Sequence, residues 1–329
     1  GLCYTVQDFS KCLFEGKEFV MRHFVALKDW PVEELAAMLD LAAEIKRNPG
    51  AYEDAMRRRV LVMIFEKPSL RTRLSFETGM CKMGGDAIYY DMSTSPLGAG
   101  KETIEDSVKT VSRYADLVMA RLMKHENMLA MAKHAGIPVI NGMTDYNHPC
   151  QIMADLLTIS EKKGRLAGLT LSYFGDSNNN VTHSILFGGA LFGMHVRVGC
   201  PAGEKFSPRP DVMKEASAIA AKSGGSVAVT HDAAEAARGA DVVYTDSWMS
   251  YHIPKDQLEA RVKTLTPYQV NSALMKQAKP DAIFMNCLPA MRGYEQTAEV
   301  IDGPQSVVFD EAENRMHAQN AIMLKLLEG

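Results

Sequence analysis

No stretch of the sequence reaches the roughly 18 consecutive apolar residues that a membrane-spanning helix needs, which excludes a helical span. The opening GLCYTVQDFSKCLFEGKEF lacks a basic segment followed by an apolar one, so no secretory signal is expected there. Cysteine is sparse and scattered, at positions 3, 12, 81, 150, 200 and 287. Without C-x-x-C spacing these six imply neither a zinc cluster nor a disulfide framework, and a reducing cytosol, hence a cytoplasmic protein, fits best. Net basic charge is absent too, with 36 Lys and Arg against 40 Asp and Glu. That balance argues against nucleic acid or an anionic membrane as partner, and any anion site must be local. Internal repeats and low-complexity segments are also missing. So is a G-x-G-x-x-G turn: FGDSNNN offers one glycine, and FGGALFG falls inside a helix-like run, which argues against a nucleotide-dependent dehydrogenase. The 21 methionines read as packing residues and imply no metal.

What remains is an ordinary globular composition, 47% hydrophobic and 23% charged. At 329 residues the chain is long enough for two domains. DWPVEELAAMLDLAAEIKRNPG reads as a helix, with Asp29 and Pro31 at its start, acids in its first turn, Lys46 and Arg47 late, and Pro49-Gly50 as a stop. Short β-rich runs then alternate with helical stretches: RVLVMIF, DLVMAR and IPVING, followed by LTLSYFG, HVRVGC, SVAVTH, DVVYTD, AIFMNC and SVVFD. That alternation predicts an α/β protein of two doubly wound domains with parallel sheets. HPCQIMADLLTISEKKGRLAG reads as a helix ending in a charged turn, and the boundary is expected near residue 155.

FEKPSLRTRLSFETG places Arg71 and Arg73 among hydroxyl residues at a strand-to-helix turn. Unpaired N–H groups and the positive end of the helix dipole favour an anion there, and Ser69, Thr72 and Arg71 add hydroxyls and a planar guanidinium. The competing reading pairs such arginines with a nearby acid, for example Glu77. In open α/β sheets ligands lie beyond the C-terminal ends of strands. Nearly every such end here is polar or ionisable: Arg121 after DLVMAR, MTDYNHPCQ after IPVING, Asp176 and SNNNVTHS after LTLSYFG, Asp246 and SWMSYH after DVVYTD, LPAMRG after AIFMNC, and AENRMH after SVVFDE.

Five ordered motifs, SLRTR, HPCQ, GDSNNNVTHS, DSWMS with CLP, and ENRMH, resemble the ornithine and aspartate carbamoyltransferases, and within them the ornithine branch. The resemblance runs from about Phe24 to the end of the chain. It implies residues 1–155 as a carbamoyl phosphate domain, 156–312 as an amino-acid domain, and a C-terminal helix, 313–329, returning to the first. It implies a homotrimer or an assembly of trimers, active sites at subunit contacts, no cofactor and no metal. Residue by residue, Ser69, the Leu70 backbone, Arg71 and Thr72 would hold the phosphate. Arg121, His148 and Gln151 would hold the carbamoyl group, helped by the Leu288 carbonyl and Arg315. Asn180, Asp246, Ser250 and the Tyr251 N–H would hold the amino-acid head group, and Cys287 beside Asp246 would meet the reacting amine. The chemistry agrees: an acyl phosphate dianion calls for arginines, a carbamoyl oxygen gaining charge calls for fixed donors such as Thr72, Arg121 and His148, and an alkyl amine of pKa ~10.4 must first lose a proton. The segment Ser250 to Lys255 is expected to act as a lid over the amine. Taken singly, Cys287 reads as an inert thiol, His148 as a turn histidine and Asn178 to Asn180 as a turn, while His183, His252 and Met291 read as structural.

The chain departs from the common ornithine pattern at Leu70 (usually Thr), at Tyr251-His252 (usually Met-Gly) and at Asn286 (usually His). TSPLGAGKETIEDS also lacks a frequent histidine, where Lys101 would supply a cation. NGMTDYNHP and LPAMRG also look like putrescine carbamoyltransferases. The alternatives are therefore putrescine or an N-acylated ornithine as acceptor, or a silent regulatory paralogue, which would lack Arg71, Arg121, His148 or Arg315; all four are present.

Overall fold

In the computed structural model, residues 21–249 and 253–328 are described. Helix α1 (Val32–Arg47) has Glu33 and Glu34 in its first turn and Lys46 and Arg47 in its last, each favoured by the helix dipole. Leu35, Met38, Leu39, Ala42 and Ile45 recur at helical spacing and face the core. The chain then alternates through β1 (Val60–Phe65), α2 (Leu70–Lys82), β2 (Asp86–Asp91), α3 (Ile104–Val111), β3 (Leu117–Arg121), α4 (His125–His134) and β4 (Val139–Met143). These strands form one parallel sheet in the order β2-β1-β3-β4.

Helix α5 (Pro149–Lys163) carries the chain onward, with residue 155 near its middle, and ends on Gly164 at φ 72°, a left-handed cap that glycine adopts without a Cβ penalty. The second half runs through β5 (Thr170–Phe174), α6 (Asn180–Leu191), β6 (His195–Gly199), α7 (Pro210–Ser223), β7 (Ser226–Thr230), α8 (Ala233–Ala237), β8 (Val242–Thr245), α9 (Leu258–Leu265), α10 (Ser272–Met275), β9 (Ile283–Met285) and α11 (Ala298–Ile301). Its parallel sheet has the order β7-β6-β5-β8-β9. The last helix, α12 (Val308–Glu328), leaves the second sheet and packs on α5, α1 and α2. Strand order reverses between β1 and β3 in the first sheet and between β5 and β8 in the second, and such switch points open a crevice at the strand ends.

Two elements depart from the sequence reading. SVVFD, expected as a strand, makes only an isolated bridge between Ser306 and Phe284. The chain turns helical at Val308, earlier than the 313 expected, because Asp310 and Glu311 sit in the first turn, where the dipole favours acids, and a helical apolar spacing follows. Strand β2 was not anticipated. It is an edge strand with acids at both ends and alternate residues half exposed, so no continuous apolar run marks it.

Helix α6 is buried from Val181 to Ala190, because α5 and α7 pack against it. Gly188 lets α5 approach closely: a Cβ there would lie 2.4 Å from Ile152 Cγ1. Ile152 is fully buried and β-branched, so it yields little. Gly188→Ala should therefore lower the free energy of unfolding by about 1–3 kcal/mol, although Ala favours a helix over Gly by about 1 kcal/mol. A urea midpoint equal to or above the parent's would refute this packing account.

Candidate active site

The turn after β1 has the form expected of an anion cradle. Ser69 adopts extended backbone at the start of α2, and its Oγ accepts the Thr72 N–H at 3.3 Å. The cap leaves the N–H groups of Leu70 and Arg71 at the open end of the helix, with no carbonyl four residues back to bond. The Leu70 side chain is exposed. The two arginines of the motif part company. Arg73 pairs with Glu77 one turn on, at 3.0 Å, and stacks on the Tyr89 ring, so the ordinary surface reading holds for it. Arg71 is half-buried and its charge bears on His148, Asp246 and Arg315.

Arg121 ends β3, where β4 carries an extra residue: Ala120 pairs with Asn141 but Arg121 with Met143. A bulge of this kind re-aims the side chain that follows it. Arg121 and His148 are both nearly buried, and His148 stands at the start of α5 with its N–H on Ser184 Oγ at 2.8 Å. Burial, reinforced by the guanidiniums of Arg315, Arg121 and Arg71, holds the His148 imidazole well below its ordinary pKa, so it is neutral at physiological pH. Thr72, Arg315 and Gln151 form one chain of hydrogen bonds: Arg315 donates to Thr72 Oγ1 at 3.1 Å and to Gln151 Oε1 at 2.6 Å. Both Gln151 Nε2 hydrogens are committed, to Asp155 at 2.8 Å and Glu311 at 2.9 Å, so its Oε1 is the part of the amide with a lone pair to spare.

The second half contributes the facing wall. Asn179 caps α6 by accepting the Thr182 N–H at 2.8 Å, which leaves Asn180 to donate across to the Thr144 carbonyl at 2.5 Å. Asp246, just past β8, accepts the Ser247 N–H at 2.7 Å and the Cys287 thiol at 3.2 Å. Burial raises both groups, and the Asp246 charge pushes the Cys287 thiol further up. Leu288 has φ 55°, a left-handed backbone that costs a non-glycine residue ~1–3 kcal/mol. Asn286 holds it there: its Oδ1 accepts the Leu288 N–H at 2.8 Å and its Nδ2 donates to Gln296 at 3.0 Å. Arg261, buried and ion-paired with Asp176, donates to the Trp248 carbonyl at 2.7 Å and so fixes the root of the segment expected to be a lid. Ser250 and Tyr251, with His252, lie outside the described residues.

The structure thus gathers Arg71, Thr72, Arg121, His148, Gln151 and Arg315 on one side and Asn180, Asp246, Cys287 and Leu288 on the other. His183 is buried with its Nδ1 3.0 Å from the Tyr146 carbonyl, in keeping with a structural part. Sequence reasoning missed Asp155, Tyr244, Asn286 and Glu311, which surround Gln151 and the CLP turn. A signal was present: Asp155 follows Gln151 by four, and Glu311 precedes Arg315 by four, each on one helical face.

Cys287 should remain a protonated thiol at neutral pH and react slowly with iodoacetamide, after the exposed Cys81. Asp246→Asn removes a charge that raises Cys287, so its alkylation profile, followed by mass spectrometry, should move to lower pH. An unchanged or higher profile in the variant would contradict the geometry of this pair.

Two family models match the chain in order. The carbamoyl-P binding domain of aspartate/ornithine carbamoyltransferase covers residues 22–161, and its Asp/Orn binding domain covers 167–326. An ornithine carbamoyltransferase of Mycolicibacterium smegmatis is 47% identical over 94% of this chain and 99% of its own length. Among solved structures, ornithine carbamoyltransferase from Pyrococcus furiosus superposes with a TM-score of 0.89 at 43% identity, over 95% of this chain and 99% of that one. Ornithine transcarbamoylase from Giardia lamblia gives 0.85 at 42%, over 93% and 98%. With both models matched end to end and relatives this similar across nearly their whole lengths, the chain belongs to the aspartate/ornithine carbamoyltransferase family.

Proposed function

We propose that this protein transfers the carbamoyl group from carbamoyl phosphate to the side-chain amine of L-ornithine, giving citrulline and phosphate. The observation that carries this reading is the convergence of Arg71, Arg121 and Arg315 on the neutral His148 beside the open start of α2. Such a site offers a dianion positive charge and offers a carbonyl oxygen an uncharged donor. The ornithine carbamoyltransferases similar over almost the whole chain support the same acceptor.

On this reading Ser69, Arg71, Thr72 and the Leu70 N–H hold the phosphate, and Gln151 accepts from the carbamoyl NH2 through its remaining lone pair. The amine attacks the carbamoyl carbon, and the developing oxyanion is stabilised by Thr72, Arg121 and His148. The C–O bond to phosphate then breaks, phosphate departs against the arginines, and the added nitrogen loses its proton. Asp246 and Cys287 receive the amine end, where a carboxylate beside a neutral thiol favours a cation and manages its deprotonation. Asn180, with Ser250 and the Tyr251 N–H, recognises the α-amino and α-carboxylate groups. Residues 1–155 with the last helix form the carbamoyl phosphate domain and 156–312 the amino-acid domain. The working form is a cytoplasmic trimer or an assembly of trimers.

Arg71→Ala should lower kcat/KM for carbamoyl phosphate by ~10²–10³-fold while the far-UV spectrum is unchanged. Ornithine should exceed putrescine and N-acetylornithine by up to ~10⁴-fold in kcat/KM, because an acceptor without a free α-amino acid group leaves buried polar groups unpaired, and should also exceed lysine, whose amine stands one methylene further from the head group. Near-normal turnover in the folded variant would overturn the site, and putrescine as the better acceptor would overturn the acceptor alone.

A further inference from the structure

Behind the phosphate turn lies a knot of side chains that the reaction above does not use. Asp155 of α5 and Glu311 of α12 are both fully buried. One amide serves both, since Gln151 Nε2 donates to Asp155 Oδ1 at 2.8 Å and to Glu311 Oε1 at 2.9 Å. One hydroxyl faces both: Tyr244 Oη lies 3.0 Å from Glu311 Oε1 and 3.3 Å from Asp155 Oδ2. The other Glu311 oxygen accepts the Asn286 N–H at 3.1 Å. The shared amide and the shared hydroxyl thus bring two acidic groups together out of contact with water. Arg315 is the cation that bears on Asp155, and the other titratable groups near the pair, Tyr244, Cys287 and Asp246, supply no positive charge. Two adjacent carboxylates beside one guanidinium cannot both stay ionised where water is excluded.

We propose that Asp155 and Glu311 share one proton and act as a positioning pair, holding Gln151 and through it Arg315 in the carbamoyl phosphate pocket, and tying α5 and α12 to the strand ends that carry Asp246 and Cys287. The pair touches no reacting atom. Its link to turnover rests on the reaction proposed above, whereas its shared proton does not. Burial lifts Asp155 to about 7 and Glu311 well above the ordinary carboxylate range. The two protons leave in steps that belong to the pair. Because the folded values exceed the unfolded ones, the stability tied to the protons is full below the ordinary carboxylate range and is lost as the pH rises from there through the folded values.

Asp155→Asn tests this with little change of shape. Its oxygen keeps the Gln151 contact, its new NH2 takes the place of the shared proton, and one ionisable group remains. Melting temperatures of the wild type and Asp155→Asn should diverge as the pH rises from about 4 through about 7, with the wild type falling more steeply. Asp155→Ala should raise the KM for carbamoyl phosphate by about tenfold or more with the ornithine KM little changed, as expected when a support behind the pocket is lost, and Asp155→Asn should restore it at neutral pH. Parallel melting curves would overturn the shared proton, and Asp155→Asn as impaired as Asp155→Ala would overturn the positioning role. A wild type without carbamoyl transfer to ornithine would sink the proposed reaction, and the melting comparison would still decide the pair.

Discussion

Arg315 is a guanidinium almost without contact with water, and the rest of the site is arranged around that burial. A buried cation costs several kcal/mol of desolvation unless its donors find partners and a negative field lies near. Here the donors reach Thr72 on α2 and Gln151 on α5, and Asp155, behind Gln151, is the carboxyl that bears on the charge. Meeting those needs forces three helices together, and α2 gives way at Gly79, where a Cβ would stand 2.1 Å from the Asn320 amide oxygen of α12. Burial keeps His148 from protonating, and the same charge, added to Arg121 and Arg71, reinforces it. One side chain therefore bears on helix packing, pocket charge and the state of the imidazole.

The two sheets meet the site differently. The first supplies cations on a capped helix start and on a bulged strand end. The second supplies an acid, a thiol and a strained turn, each held by hydrogen bonds inside its own half. Ties across the crevice include Asn180 to the Thr144 carbonyl, the His148 N–H to Ser184, the His183 ring to the Tyr146 carbonyl, Tyr244 to Asp155 and Lys28 to Glu215, besides the contacts of α12.

The strands that carry the site were legible because each is a buried apolar run ending on a polar residue, which is what a parallel sheet with function at its carboxyl ends must look like. β2 escaped because an edge strand half exposed to solvent has no such run. SVVFD misled because Val307, Val308 and Phe309 favour strands, whereas Asp310 and Glu311 favour a helix start and the tertiary contacts of α12 decide the matter. Arg71 and Arg73 look alike in sequence, and only the turn of α2 separates a pocket residue from a surface ion pair with Glu77. Asp155 and Glu311, for all their helical spacing from Gln151 and Arg315, escaped for a related reason. A buried acid is recognisable by its partners, and Gln151, Tyr244 and Asn286 come from places in the chain that only the fold unites.

The return of α12 to the first sheet also bears on how the chain is made. On the ribosome the first 160 or so residues emerge early and domains generally fold as they appear. Here the surfaces of α1, α2 and α5 that cover the first sheet are finished by residues from Val308 onward, which are synthesised after the strands of both sheets. The amino-terminal half must therefore wait, with the faces of α1, α2 and α5 lacking their final cover, until α12 has been translated. The last helix is a closing clasp, and a nascent chain stopped before it exposes an unfinished apolar face of the kind that chaperones hold.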